Sequence, residues 1–127
     1  MSAFSDYLEN KVLDHVFGGN AYSAPGTLYL ALYTSDPGDD NSGTECSGTS
    51  YARQTIAFTV TADTASNTSA VEFPTAGSAW GTITHVGILD ALTSGNLLAH
   101  GALTSAKTVA SGDVFRVPAG DLDITLA

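Results

Sequence analysis

Between Phe4 and Phe17 the apolar residues recur at helical spacing: Phe4, Leu8, Val12 and Val16 fall at i, i+4, and Leu13 and Phe17 widen the stripe. A turn of 3.6 residues puts such a set on one side of a helix, so the spacing predicts an α-helix at about 4–17. Ser2 or Ser5 can cap its start, and Asp6 and Glu9 suit the positive end of the helix dipole. Gly18-Gly19-Asn20 stops it, because these residues readily take the left-handed conformation that ends helices.

Beyond this helix the period drops to two. In Thr27–Tyr33, Leu28, Leu30 and Leu32 share one face, while Tyr29 and Tyr33 take the other. A strand apolar on both faces belongs at the centre of a sheet that is covered twice. Residues 35–50 form a long Gly/Ser/Asp loop. Tyr51–Thr61 alternates again and is expected to bury Ile56, Phe58 and Val60, with Thr55, Thr59 and Thr61 outward. A shorter strand carries Val71 and Phe73 and ends at Pro74. Further strands are expected over 82–90, 97–104, 114–117 and 122–126. Short strands at this spacing, separated by Gly, Asn and Ser turns, predict a mainly β fold: an antiparallel β-sandwich or barrel-like domain with one N-terminal α-helix. No repeat or linker divides the 127 residues, so one domain over 1–127 is expected.

Composition changes the picture in one direction. Only 13% of residues are charged, about half the share of an ordinary soluble domain. Ser, Thr, Asn and Gly must therefore supply the polar surface, and such a surface costs little to desolvate in a contact. The net charge is −9, from 13 acidic and four basic residues, and Lys11, Arg53, Lys107 and Arg116 are scattered. That balance argues against nucleic acid, which needs clustered cations, and against docking on an anionic membrane. Cys46 stands alone and cannot form an intramolecular disulfide. Met1–Asp6 lacks the basic and apolar regions of a signal peptide, and no stretch approaches the ~18 apolar residues of a membrane helix. Synthesis in the cytoplasm is expected.

Candidate chemistry is sparse. If 82–90 and 97–104 form a hairpin with Asp90 opposite Leu97, His85 faces Ala102 and His100 faces Gly87. The two imidazoles are then diagonal neighbours on one face. Asp90 has the opposite parity, so the third ligand a metal would need is missing. His15 falls on the helix as a surface residue or subunit contact. No serine sits in a Gly-x-Ser-x-Gly elbow, and Glu45 beside Cys46 would raise the thiol pKa rather than activate it. The loop from Asp36 to Glu45 clusters oxygen ligands that would suit calcium, but its spacing does not match an EF-hand. No catalytic residue, metal site or cofactor is expected. Interface candidates are better supported. Tyr51 and Arg53 share a face, and both types are favoured as interface anchors. Arg116 lies on an otherwise apolar strand and needs a partner, either Asp113 or Glu72 within the chain or a carboxylate across a subunit contact. His85 and His100 complete the set. Trp80, with no aromatic neighbour in sequence, is expected in the core.

Several segments together resemble a known family. They are Phe4-Ser5-Asp6-Tyr7-Leu8-Glu9-Asn10, Leu30-Ala31-Leu32-Tyr33-Thr34-Ser35-Asp36-Pro37, residues 43–53, Trp80-Gly81-Thr82-Ile83-Thr84-His85-Val86-Gly87-Ile88 and residues 112–120. The set is similar to small virion structural proteins of tailed bacteriophages, labelled tail fibre or structural proteins. Cys46 departs from it, standing where those proteins carry an aliphatic residue. The resemblance spans nearly the whole chain and implies a virion location and no catalytic residues. The first expectation is a capsid-decoration (cement) protein, bound outside the major capsid protein as a homo-oligomer such as a trimer. The alternative is a tail-fibre, tail-tip or baseplate protein that touches host glycans.

Overall fold

The computed structural model describes residues 2–126; Met1 and Ala127, the ends of the expected 1–127 domain, lie outside the described residues. The elements in order are β1 (Ser2–Phe4), α1 (Asp6–Val16), β2 (Leu28–Tyr33), β3 (Gln54–Ile56), β4 (Phe58–Thr61), β5 (Thr64–Asn67), β6 (Val71–Glu72), β7 (Gly81–Leu89), β8 (Leu97–Val109), β9 (Arg116–Val117) and β10 (Asp123–Thr125). The pairings between these strands are all antiparallel. The fold is mainly β with one helix near the N-terminus, as the periodicity predicts.

A five-stranded sheet, ordered β1-β8-β7-β2-β3, carries the architecture. β2 is central and covered on both faces. Leu30 and Leu32 enter the main core, while Ala31 and Tyr33 join Leu89 and Leu97 in a smaller cluster on the other side. That small cluster closes over Gly87, where a Cβ would come within 2.8 Å of both Leu97 and Tyr33. The main core forms where the large sheet meets a three-stranded sheet, β10-β5-β4, and a two-stranded one, β6-β9. Phe73, Leu30, Leu32 and Ile83 are fully buried there, and each such side chain stabilises the fold by about 1.5–3 kcal/mol. Trp80 is a core residue: Tyr51 meets its ring edge-on at 5.5 Å, and its indole N–H donates to the Thr49 carbonyl at 3.0 Å.

Several expectations are corrected. The helix starts at Asp6, because buried Ser5 caps it and Phe4 belongs to β1, paired with Ala99 of β8. None of its residues is fully buried; Tyr7, Leu8 and Val12 are half-buried, while Leu13, Val16 and Phe17 are exposed. The strand expected over 51–61 is two: β3 pairs with β2, β4 pairs with β5, and the chain changes sheets at Ala57. Strands that cross between sheets turn a corner in this way, and the turn leaves Val60 71% exposed instead of buried. β5 lies in a stretch where no strand is expected, and β8 runs to Val109 rather than Thr104. In the β7–β8 hairpin His85 faces Ala102 and His100 faces Gly87 as expected, but Leu89 rather than Asp90 opposes Leu97. A bulge at Leu98 makes the shift, and both Leu97 and Leu98 are buried. A wider bulge sets Thr84 alone against residues 103–106.

Candidate functional site

Tyr51 and Arg53 precede β3 rather than sharing a strand, and both turn toward Glu45. The Arg53 guanidinium grips that carboxylate with two prongs, Nη2 to Oε1 at 2.7 Å and Nε to Oε2 at 2.9 Å. Its Nη1 donates to the carbonyls of Ala91 and Ser94, each at 2.8 Å. Tyr51 donates its hydroxyl proton to Glu45 Oε2 at 2.7 Å and accepts from the Leu32 N–H at 3.1 Å. The Glu45 hydrogen bond holds the Arg53 pKa above its ordinary value, and burial together with Glu45 raises that of Tyr51. Only 9% of the Arg53 side chain is exposed. These groups lock the long loop to β2 and to the β7–β8 turn, and a partner would reach little of them.

The two histidines lie in the expected register but engage different neighbours. His85 Nδ1 meets Thr84 Oγ1 at 2.8 Å. His100 Nε2 meets Asp39 at 2.8 Å, and its Nδ1 lies 3.8 Å from Asp36, so the acidic loop clasps β8. The same loop accepts at the helix start, where the Asp6 N–H donates to the Asp39 carbonyl at 2.9 Å. Asp36 and Asp40 accept from the backbone N–H groups of Gly38 and Ser42, closing turns. Asp6, Glu9 and Asp39 bring their carboxylates within 4.8 Å of one another on the open surface; two of the three sit at the helix N-terminus, where acids favour the dipole. His15 is exposed, its Nδ1 3.0 Å from the Asn20 carbonyl.

Cys46 is buried, with its Sγ 3.8 Å from the Trp80 carbonyl. Burial first, and Glu45 second, push its thiol pKa up to about 11. A thiol so held is an apolar filler rather than a nucleophile.

Arg116 is about half exposed and pairs across the β6–β9 ribbon with Glu72 at 3.9 Å. It also lines a groove. This groove, of about 680 Å³, runs between β8 and residues 113–123. Val86, Leu103, Val117 and Leu122 contribute apolar surface, and Lys107, Asp113, Asp121, Asp123, Thr104 and Ser105 contribute polar groups. A smaller groove of about 360 Å³ is lined mostly by apolar residues, among them Phe4, Leu8, Val60 and Leu126, with Asp63 and Thr64 at its polar side, which explains where the exposed Val60 faces.

Comparison with known protein families gives a match over nearly the whole chain. The sequence profile of the family described as Podophage GP4 fiber I protein gp80 aligns with residues 3–125. The chain belongs to this fibre family. No curated protein matches it. As a member of the fibre family the chain is a virion component, and the resemblance to small structural proteins of tailed phages is correct.

Two structural keystones of this family member escape sequence reasoning. Glu45 unites Tyr51 and Arg53, yet in sequence it is only an acid beside a cysteine. Asn67 is buried, and its side-chain NH₂ donates to the carbonyls of Ser69 and Pro118 at 2.9 Å. Its Oδ1 accepts from the Leu122 N–H at the same distance. An isolated Asn at a strand end reads as a turn residue, and nothing local signals that it staples residues 118–122 to β5.

Proposed function

We propose that this protein is a non-enzymatic structural module of a podophage tail fibre, held in the particle by contacts with copies of itself and with neighbouring virion proteins. The observation that carries the reading is the fibre-family match over residues 3–125. The chemistry of the fold agrees with it. Several side chains singled out in the sequence are occupied within the fold: Arg53 and Tyr51 tie loops to the sheet through Glu45, His100 does so through Asp39, and Cys46 is buried in the core. The surface left over is rich in hydroxyls and poor in charge, so it loses little hydration when another folded body covers it. At the end of α1, Leu13, Val16 and Phe17 are exposed, Phe17 to 82%, and this is the apolar patch such a contact would use.

The first expectation, capsid decoration, rests on small size, an acidic surface, a compact domain without a long fibrous shaft and an N-terminal helix free to dock. Size, charge and the free helix suit a fibre module equally, and the family description favours the fibre. Immunogold labelling of intact particles with antibodies against the purified protein tests the assignment. Gold at the tail is the expected result; gold spread over the capsid faces would restore decoration and end the fibre reading.

A further inference from the structure

Among the described residues, the exposed large hydrophobic side chains gather in two places. Leu13, Val16 and Phe17 project from the end of α1, and Val60 and Leu126 line the apolar groove of about 360 Å³, while Leu92 and Val114 stand apart. One surface protrudes and the other is hollow. We infer that the end of α1 seats in this groove on a second copy of the chain, each copy giving one helix end and receiving another. The groove opens where Phe4 of β1, Phe58 of β4 and Ile124 of β10 come together, beside Leu8 at the start of α1. Its volume lies within the ~300–1,000 Å³ that takes a small molecule, which admits an aromatic ring with branched side chains around it. The helix cannot fill its own groove. From Leu8 to Phe17 it runs without a break and rises about 13 Å along its axis, which carries the ring away from the opening.

Charge favours this occupant. At a net charge of −9, copies repel one another wherever carboxylates meet, so a self-contact needs faces that complement each other. α1 is polarised along its length. Asp6 and Glu9 lie in its first turn, beside the Leu8 that lines the groove, whereas Lys11 and His15 lie in its second half. Among the groove's lining residues only Asp63 ionises. Seating the end of one α1 in the groove of another copy therefore brings a basic half-helix toward acids. Asp14, the acid of that half, is engaged by the Asn20 side chain at 2.8 Å. A small apolar ligand would fill the groove and leave Phe17 bare; a second copy covers both. The three side chains of one helix end supply only part of the ~800 Å² per partner that a stable complex buries. A single seating is thus weak, and closed symmetry, in which every copy gives and receives, adds the contacts.

The inference deepens the reading of a module held by copies of itself and rests on that part of it, not on where in the particle the chain sits. Light scattering on the full-length chain across a concentration series should show self-association. Phe17→Asp alters the helix end and Val60→Asp the groove, both at exposed positions. Each should raise the self-dissociation constant on the order of thirtyfold while the far-UV circular dichroism stays unchanged. An equimolar mixture of the two variants should regain association, because the intact helix end of one meets the intact groove of the other. Copies with Phe17→Cys mixed with copies with Val60→Cys should form an intermolecular disulfide under mild oxidation, while the buried Cys46 stays free. This last readout decides the matter where an Asp variant fails to fold. A monomer at every concentration, folded variants that associate like the parent, a mixture no better than its parts, or absence of the 17–60 disulfide would overturn the contact. Gold at the tail with a monomeric chain sinks only the contact. A cross-linked oligomer whose chain labels the capsid sinks only the fibre assignment.

Discussion

Removing the Arg53 side chain would leave Glu45 half-buried without its counter-charge and two turn carbonyls, Ala91 and Ser94, without a donor. Breaking one partner of such a pair costs about 3–5 kcal/mol, so Arg53→Ala should lower the urea midpoint by a corresponding amount. Arg53→Lys should recover little, because a point charge cannot fork onto Glu45 and still reach both carbonyls. A midpoint close to the parent's for either variant would contradict this account. Cys46 gives a pH signature. Its thiol pKa rises from 9.0 to about 11 on folding, and that of Tyr33, mainly through burial, rises from 10.0 to about 12. The folded state therefore holds these protons more tightly than the unfolded one. Their contribution is full below pH 9 and is lost as pH rises through 11 and then 12. Urea midpoints should fall over that range, and Cys46→Ala should flatten the first part of the fall. An unchanged slope would show that the thiol titrates alike in both states. At this scale the sequence was legible only where chemistry is local. The inert thiol beside Glu45 could be read directly, whereas the Glu45–Arg53 and Asn67–Pro118 contacts join positions that the linear order separates.

Helix α1 is anchored at one end. Ser5 is buried, its Oγ accepts from the Leu8 N–H at 3.2 Å, and its hydroxyl donates to the Leu97 carbonyl. Toward Phe17 the helix leaves the body and its apolar residues are open. Loss of an N-cap costs about 0.5–2 kcal/mol, and here it also removes the tie to β8. Ser5→Ala should therefore speed hydrogen exchange along α1 while β2 and β7 keep their protection; uniform loss of protection would mean that the helix is not a separate unit. The opposite change belongs at the far end. Val16→Asp combined with Phe17→Asp should leave stability within about 0.5 kcal/mol, as surface substitutions do, but abolish incorporation into particles. Normal incorporation would remove α1 from the interface. The elements themselves were legible in proportion to their apolar alternation. β2, β7 and the first half of β8 show it. β5 has Thr64-Ala65-Ser66-Asn67, with no apolar stripe to read. β1 hid because Phe4 also fits the helical series, and Ala57 gives no sign that the chain changes sheets there.

At the scale of the molecule the fold is a cross-tied scaffold with two open surfaces, the end of α1 and the polar groove along β8. A five-stranded sheet backed by two small ones buries the aromatic cluster of Tyr51, Phe73, Trp80 and Phe115. The loop of residues 34–53 is pinned by Glu45 at one end and by Asp39 at the other. Fold class was legible from the chain because period and turn residues are local. Strand order was not, since β1 against β8 and β10 against β5 are set by where long loops return. A side-chain-resolution reconstruction of the tail on intact particles tests the central claim most directly. The account predicts that this fold fits fibre density, with Leu13, Val16 and Phe17 against a neighbouring chain and the groove beside Lys107 and Asp121 open to solvent. Density for the chain on the capsid lattice would contradict it.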